Sequence, residues 1–134
     1  MESYRLDKDS LGEVKVPSNA YYGPFTVRAS SQYKVTGQKP HLNMIKAFAM
    51  IKRSAALANR DLNVLPTEKA NAIVKACHEI LSGNLLDQFI VDTINSGAGT
   101  AFNMNINEVI ANRALEISGR SIGDYAFINP NDDV

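Results

Sequence analysis

Gly97, Gly99 and Thr100 stand just before a run with three amides in five residues, Asn103, Asn105 and Asn107. Glycine lets backbone N–H groups come close to a ligand, and the start of a helix adds free N–H donors with a partial positive charge. That combination suits a carboxylate or another anion. The candidate ligand groups are the backbone of Ala98 and Gly99, the hydroxyl of Thr100 and the amide of Asn103, all neutral donors. Helical spacing puts Asn103 and Asn107 on one face and Asn105 nearly opposite, so at most two of the three amides serve one site. The plain alternative is an N-capped helix with polar residues on its outer face, and a lone GxG does not exclude it. Nucleotide binding fits less well. A phosphate loop needs lysine and Ser/Thr after its second glycine, and a dinucleotide fingerprint needs GxGxxG after a strand; neither pattern is present.

The elements that must carry this loop are mainly α-helical. The first forty residues are punctuated by Gly12, Pro17, Gly23, Pro24, Gly37 and Pro40 around β-prone Val14-Lys15-Val16, which predicts a hairpin and one short helix near Thr26 to Gln32. From about His41 to Arg60, Ile45, Phe48, Ala55 and Ala58 approximate one apolar face, while Lys46, Arg53 and Arg60 mark a solvated one. After Pro66, Thr67 is a candidate N-cap with Glu68 in the first turn. Ala70, Ile73, Val74, Cys77, Ile80 and Leu81 then form an i, i+3, i+4 stripe closed by Gly83. A last helix runs from about Asn103 to Ser118, burying Ile106, Val109, Ile110, Ala114 and Ile117 and stopping at Gly119. Cys77 lies on its stripe and reads as core, not as a nucleophile. His78 lies off the stripe and His41 at a helix start; neither has partners at ligand spacing, so no metal site is expected.

At 134 residues the chain can bury about two-thirds of its unfolded surface, enough for one core. Its formal net charge is +0, yet residues 1–67 carry ten Lys/Arg against five Asp/Glu and residues 68–134 carry four against nine. The aromatics do not interleave with the basic residues, which argues against a nucleic-acid partner. No apolar run approaches about 18 residues, so no membrane span is expected. The start, Met1-Glu2-Ser3-Tyr4-Arg5, lacks the apolar core of a signal peptide. The single Cys77 excludes an internal disulfide and favours a reducing, cytoplasmic compartment.

Taken whole, Gly97-Ala98-Gly99-Thr100 followed by Asn103-Met104-Asn105-Ile106-Asn107-Glu108-Val109-Ile110-Ala111-Asn112-Arg113 resembles the signature of the aspartase/fumarase superfamily. So do Asp9 through Pro17, Ala20-Tyr21-Tyr22-Gly23, Ile51 through Asn59, Asp87-Gln88-Phe89 and the turn Asn129-Pro130-Asn131-Asp132. The resemblance covers nearly the whole chain and implies a single amino-terminal domain over residues 1–134: a short β-hairpin followed by a small helical cluster. It implies elimination that yields fumarate, with a small dicarboxylate as substrate and no organic cofactor or metal, although divalent ions activate some members. Substrate contacts fall on Thr100, Gly99, Ala98 and Asn103, and the tail turn becomes a possible second anion site at Asn129, Asn131 and Asp132. The family's base, a serine on a mobile loop, and its tetramer-forming helical bundle lie outside these residues. Ala98 and Asn129 favour the ammonia-lyase members, with the hydratase members or a non-catalytic dicarboxylate-binding module as alternatives. Three positions depart from the pattern: Ile90 where proline is usual, Asn95 where glutamine is usual, and Phe102 at a commonly small or polar position.

Overall fold

A computed structural model describes residues 3–134. Strands β1 (Tyr4–Asp9) and β2 (Gly12–Pro17) pair antiparallel from Tyr4 opposite Pro17 to Asp9 opposite Gly12. A lone two-stranded ribbon is marginal in water. This one is anchored by Arg5, whose guanidinium donates to the carbonyls of Pro17 (2.9 Å), Ala20 (2.6 Å) and Tyr22 (2.8 Å) and pairs with Asp7 at 3.0 Å. Four helices follow: α1 (Pro24–Gln32), α2 (Leu42–Asp61), α3 (Thr67–Leu81) and α4 (Thr100–Ile117). The mainly helical fold with a short hairpin at its start is the one the sequence predicts.

Three helices stop by the same device. The residue after the cap takes a left-handed conformation, and two backbone bonds close the last carbonyls. Asn63, Gly83 and Gly119 fill that position in α2, α3 and α4, with N–H groups bonded to Arg60, Ile80 and Glu116. Both glycine stops were readable in the sequence; the asparagine was not.

The core lies between α2, α3 and α4, with Ile45, Ile73, Cys77, Ile80, Phe102, Ile106 and Ile110 buried. Helix α4 is its centre, since twelve of its eighteen residues are buried. A polar group it carries inward therefore costs stability unless it finds a partner, and Asn107 Oδ1 is buried without one among the described residues. Two corrections concern α2. Ala55 and Ala58 are exposed, and the inward face is Ile45, Ala49 and Ala56. Alanines surround this helix, so apolar periodicity could not set its phase. The basic residues Lys46, Arg53 and Arg60 are half-buried instead of fully solvated. A third correction concerns α3, where Thr67 is the first helical residue and Pro66 precedes it as the cap. The carbonyl of Pro66 accepts the Ala70 N–H at 3.0 Å.

Candidate functional site

Helix α4 begins at Thr100, three residues before the predicted Asn103. The cause is local. Gly99 takes a left-handed conformation (φ 72°) at the cap position, Ser96 O accepts the Gly99 N–H at 2.8 Å, and Ser96 Oγ accepts the Ala101 N–H at 3.2 Å. The helical bond from Asn103 N to Gly99 O (3.1 Å) follows at once. Thr100 thus stands on the first turn, exposed, and neither its hydroxyl nor its N–H has a partner within the described residues.

The early start fixes which side chains share a face. Thr100, Met104 and Glu108, spaced four apart, line one cleft of about 590 Å³. The same cleft is lined by the Lys8 to Leu11 turn of the hairpin, by Pro24 and Phe25, and by Asn129 to Asp132. The structure therefore brings Thr100 together with Asn129, Asn131 and Asp132. Ala98, Gly99 and Asn103 are not part of the cleft lining; they sit at the root of the helix beside Thr100. Asn103 is half-buried and makes no side-chain hydrogen bond within the described residues.

The other two amides are buried, and only Asn105 is bonded into the surrounding backbone. Asn105, fully buried, accepts the Ile90 N–H at 3.0 Å and donates to Gln88 O at 3.0 Å. Proline at position 90 would lack that N–H, so isoleucine gives Asn105 one donor that the usual residue would not. Asn107 is buried with its Nδ2 3.8 Å from Met104 Sδ. Phe102 packs inward, edge-to-face on Phe48 with ring centroids 4.9 Å apart, so it does not narrow the cleft.

Two helix N-termini border the cleft, and they differ. That of α1 is already occupied: the buried carboxylate of Glu108 accepts the N–H groups of Gly23 (2.8 Å), Phe25 (2.8 Å) and Thr26 (3.0 Å). Burial pushes the Glu108 carboxyl up from its ordinary range, and those three amides offset only part of the rise. Beneath it, Asn112 donates to Tyr21 O (2.7 Å) and to Tyr125 Oη (3.0 Å) and accepts the Gly123 N–H (2.9 Å). At the N-terminus of α4 the cap residue Gly99 brings no side chain and Ser96 Oγ takes the Ala101 N–H, which leaves the Thr100 and Phe102 N–H groups without a partner among the described residues. Asn105, Glu108 and Asn112 were missed as a group from sequence, although polar residues at i, i+3 and i+7 beside an apolar stripe were the available signal.

The tail turn is self-contained. Asn129 Oδ1 accepts the N–H groups of Asn131 (2.8 Å) and Asp132 (3.2 Å), and Asn131 Nδ2 donates to Asp132 Oδ1 at 3.1 Å. Asp133 fixes its root through the Asn129 N–H (2.8 Å) and Lys69 (3.1 Å). The amides that a backbone nest would offer an anion are thus used within the turn. Asp9 is likewise committed, paired with Arg28, which also donates to Gly12 O at 3.1 Å. The cleft wall carries the carboxylates of Asp9, Glu108 and Asp132 against one cation, Lys8. It offers neutral donors to an anion and little positive charge. Among the described residues no group of three or more His, Cys, Asp or Glu is placed to hold a metal ion, and no helix is long and apolar enough to cross a membrane.

A family model described as Lyase matches residues 12–134. The chain is 52% identical over 133 residues to the aspartate ammonia-lyase of Bacillus subtilis, covering 99% of this chain and 28% of that protein. It is 47% identical over 133 residues to the class II fumarate hydratase of Halobacterium salinarum, again covering 99% and 28%. Among solved structures, a fumarate lyase:delta crystallin from Brucella melitensis in its native form superposes with a TM-score of 0.94 at 49% identity, covering 98% of this chain and 31% of that one. The chain thus spans somewhat over a quarter of the length of the relatives it matches.

Proposed function

Because the chain belongs to the Lyase family, as an amino-terminal domain of the aspartase/fumarase superfamily, we propose that its parent protein is an aspartate ammonia-lyase, reversibly eliminating ammonia from L-aspartate to give fumarate. This domain supplies one carboxylate-binding wall of the site. The observation that carries the proposal is the open N-terminus of α4, with the uncommitted Thr100 hydroxyl facing the same cleft as the Asn129 to Asp132 turn. In the elimination a base removes the proton beside one carboxylate, which then carries a second negative charge until ammonia leaves. Donors fixed around that carboxylate stabilise the transition state more than the substrate, and losing one typically costs about 10²–10³ in rate. Thr100 and the free N–H groups at the start of α4 fit that role. The elimination itself calls for neither a metal nor an organic cofactor.

Ala98 and Asn129 support the ammonia-lyase over the hydratase, and one contact in a site is enough to shift selectivity by a few kcal/mol. The wall is incomplete alone. Its carboxylates outnumber its single cation, so the countercharge for a dianion comes from outside these residues, where the superfamily resemblance also puts the base, in a cytoplasmic homotetramer. The test is fumarate formation from aspartate and from malate. The complete polypeptide is expected to turn over aspartate in preference to malate, and the 134-residue chain to turn over neither. Enzyme-like turnover by the chain alone would refute the incomplete wall, and a preference for malate would refute the choice of substrate.

A further inference from the structure

The loop that presents Thr100 is rooted outside the cleft. Asp92, 5% exposed, holds a carboxylate into which three consecutive amides converge: Oδ2 accepts the N–H groups of Val35 (3.1 Å), Thr36 (2.8 Å) and Gly37 (2.8 Å). Its Oδ1 accepts the Thr36 hydroxyl (2.8 Å) and the N–H of Ile94 (2.9 Å). Successive amides aimed at one point form a nest suited to a negative charge. The clasp is double, because the Thr93 N–H also donates to Gln38 O at 2.8 Å. Asn95 Nδ2 returns to Asp92 O at 3.1 Å. Immediately upstream, Val91 is fully buried with Ala29 and Ala101, which ties the same strand of chain to α1 and to the first turn of α4. Burial alone would raise the Asp92 carboxyl, but the amide and hydroxyl donors outweigh it and hold the group well below the usual carboxylate range.

Ser96 follows Asp92 by four positions, and the Ser96 to Thr100 loop is otherwise closed on itself through the Ser96 carbonyl and hydroxyl. Its aim is set by α4 on one side and by the clasp on the other. We propose that Asp92 is a positioning residue for the Ser96 to Thr100 loop, anchoring it to the Val35 to Gln38 segment so that Thr100 and the open start of α4 hold their orientation toward the cleft. The inference rests on the loop being the anion-facing edge of the proposed site. Asp92 itself touches no ligand.

Amide hydrogen exchange on the whole chain at neutral pH tests the claim through Gly99, Ala101 and Asn103, whose N–H groups are bonded within the loop. Asp92→Asn keeps the side-chain volume and turns one acceptor into a donor facing N–H groups. It is expected to speed exchange at those three amides by ~10-fold or more while Ala76 and Cys77 in α3 keep their rates. Thr36→Val, which removes one donor to Asp92 and the acceptor of the Gln38 N–H but leaves the three-amide nest in place, gives the same pattern at smaller amplitude and serves if the first variant folds poorly. Asp92→Asn is also expected to weaken fumarate binding by several-fold, with thermal stability set separately by denaturation. Faster exchange confined to residues 33–38, or spread evenly through α3, would overturn the proposal. Faster loop exchange in a chain that binds fumarate no better than chloride would sustain the positioning role and remove the proposed function.

Discussion

Gly23 is forced by close approach and not by its backbone angles. Its φ of −125° is open to any residue. A Cβ built there would collide with the Tyr125 hydroxyl and come within 3.0 Å of the Glu108 carboxylate. Gly23→Ala therefore overpacks the floor of the cleft. The collision costs about 1–3 kcal/mol, and displacing Tyr125 from Asn112 costs about 1 kcal/mol more. About 3 kcal/mol is a large part of the stability of a domain, typically 5–15 kcal/mol. With an unfolding entropy near 2.1 cal/mol/K per residue, it lowers the melting temperature of 134 residues by ~10 °C. Tyr125→Phe removes the colliding atom. Alone it costs about 1 kcal/mol, since Asn112 keeps its bond to Tyr21 O. Combined with Gly23→Ala it is expected to bring the total to about 2 kcal/mol instead of the additive sum of about 4, a coupling of about 2 kcal/mol. Urea denaturation of the four proteins measures the cycle. Additivity within about 0.5 kcal/mol, or a Gly23→Ala variant as stable as the parent, would refute this packing of Gly23 against Tyr125 and Glu108.

Thr100→Val should leave the melting temperature within about a degree, because the exposed hydroxyl has no internal partner, yet weaken fumarate binding by ~5- to 10-fold, readable by titration calorimetry. The folded-state pKa of Glu108 is raised, so between the ordinary carboxylate value and that raised value the folded chain holds more protons than the unfolded one. Its contribution to stability falls as pH rises through that window, and Glu108→Gln is expected to remove this falling component from a series of urea titrations across pH. Asp92 has the opposite sign: its depressed pKa gives a contribution present above the ordinary value and lost as pH falls toward the depressed one. The Cys77 thiol, fully buried and pushed up to about 12, should react with a thiol reagent at pH 8 no faster than the chain opens. Rapid labelling of the native protein would contradict its place in the core.

The helices were legible where apolar spacing and a stop signal agreed, as in α3, whose stripe from Ala70 to Leu81 and stop at Gly83 both match the structure. They were less legible where the cue was tertiary. The start of α4 depends on the Ser96 hydroxyl reaching Ala101 and on the angles of Gly99, and amide-rich Asn103 drew the boundary inward. On α2, alanines on every side left the phase undetermined, so Ala55 and Ala58 were assigned to the wrong face. Thr100 and the tail turn could be linked from sequence only through the resemblance; their sharing of one cleft is a fact of chain topology. Glu108 and Asp92 were invisible as anchors because their partners are backbone amides, which every sequence contains.

The most direct test of the carboxylate-binding wall is calorimetric titration of the chain with fumarate, aspartate and chloride at matched ionic strength. Weak but selective binding is expected, with fumarate preferred over chloride by ~10-fold or more, about 1.4 kcal/mol. Equal, feeble binding of all three anions would contradict such a wall and leave the Ser96 to Asn103 segment as an N-terminal helix cap of purely structural purpose.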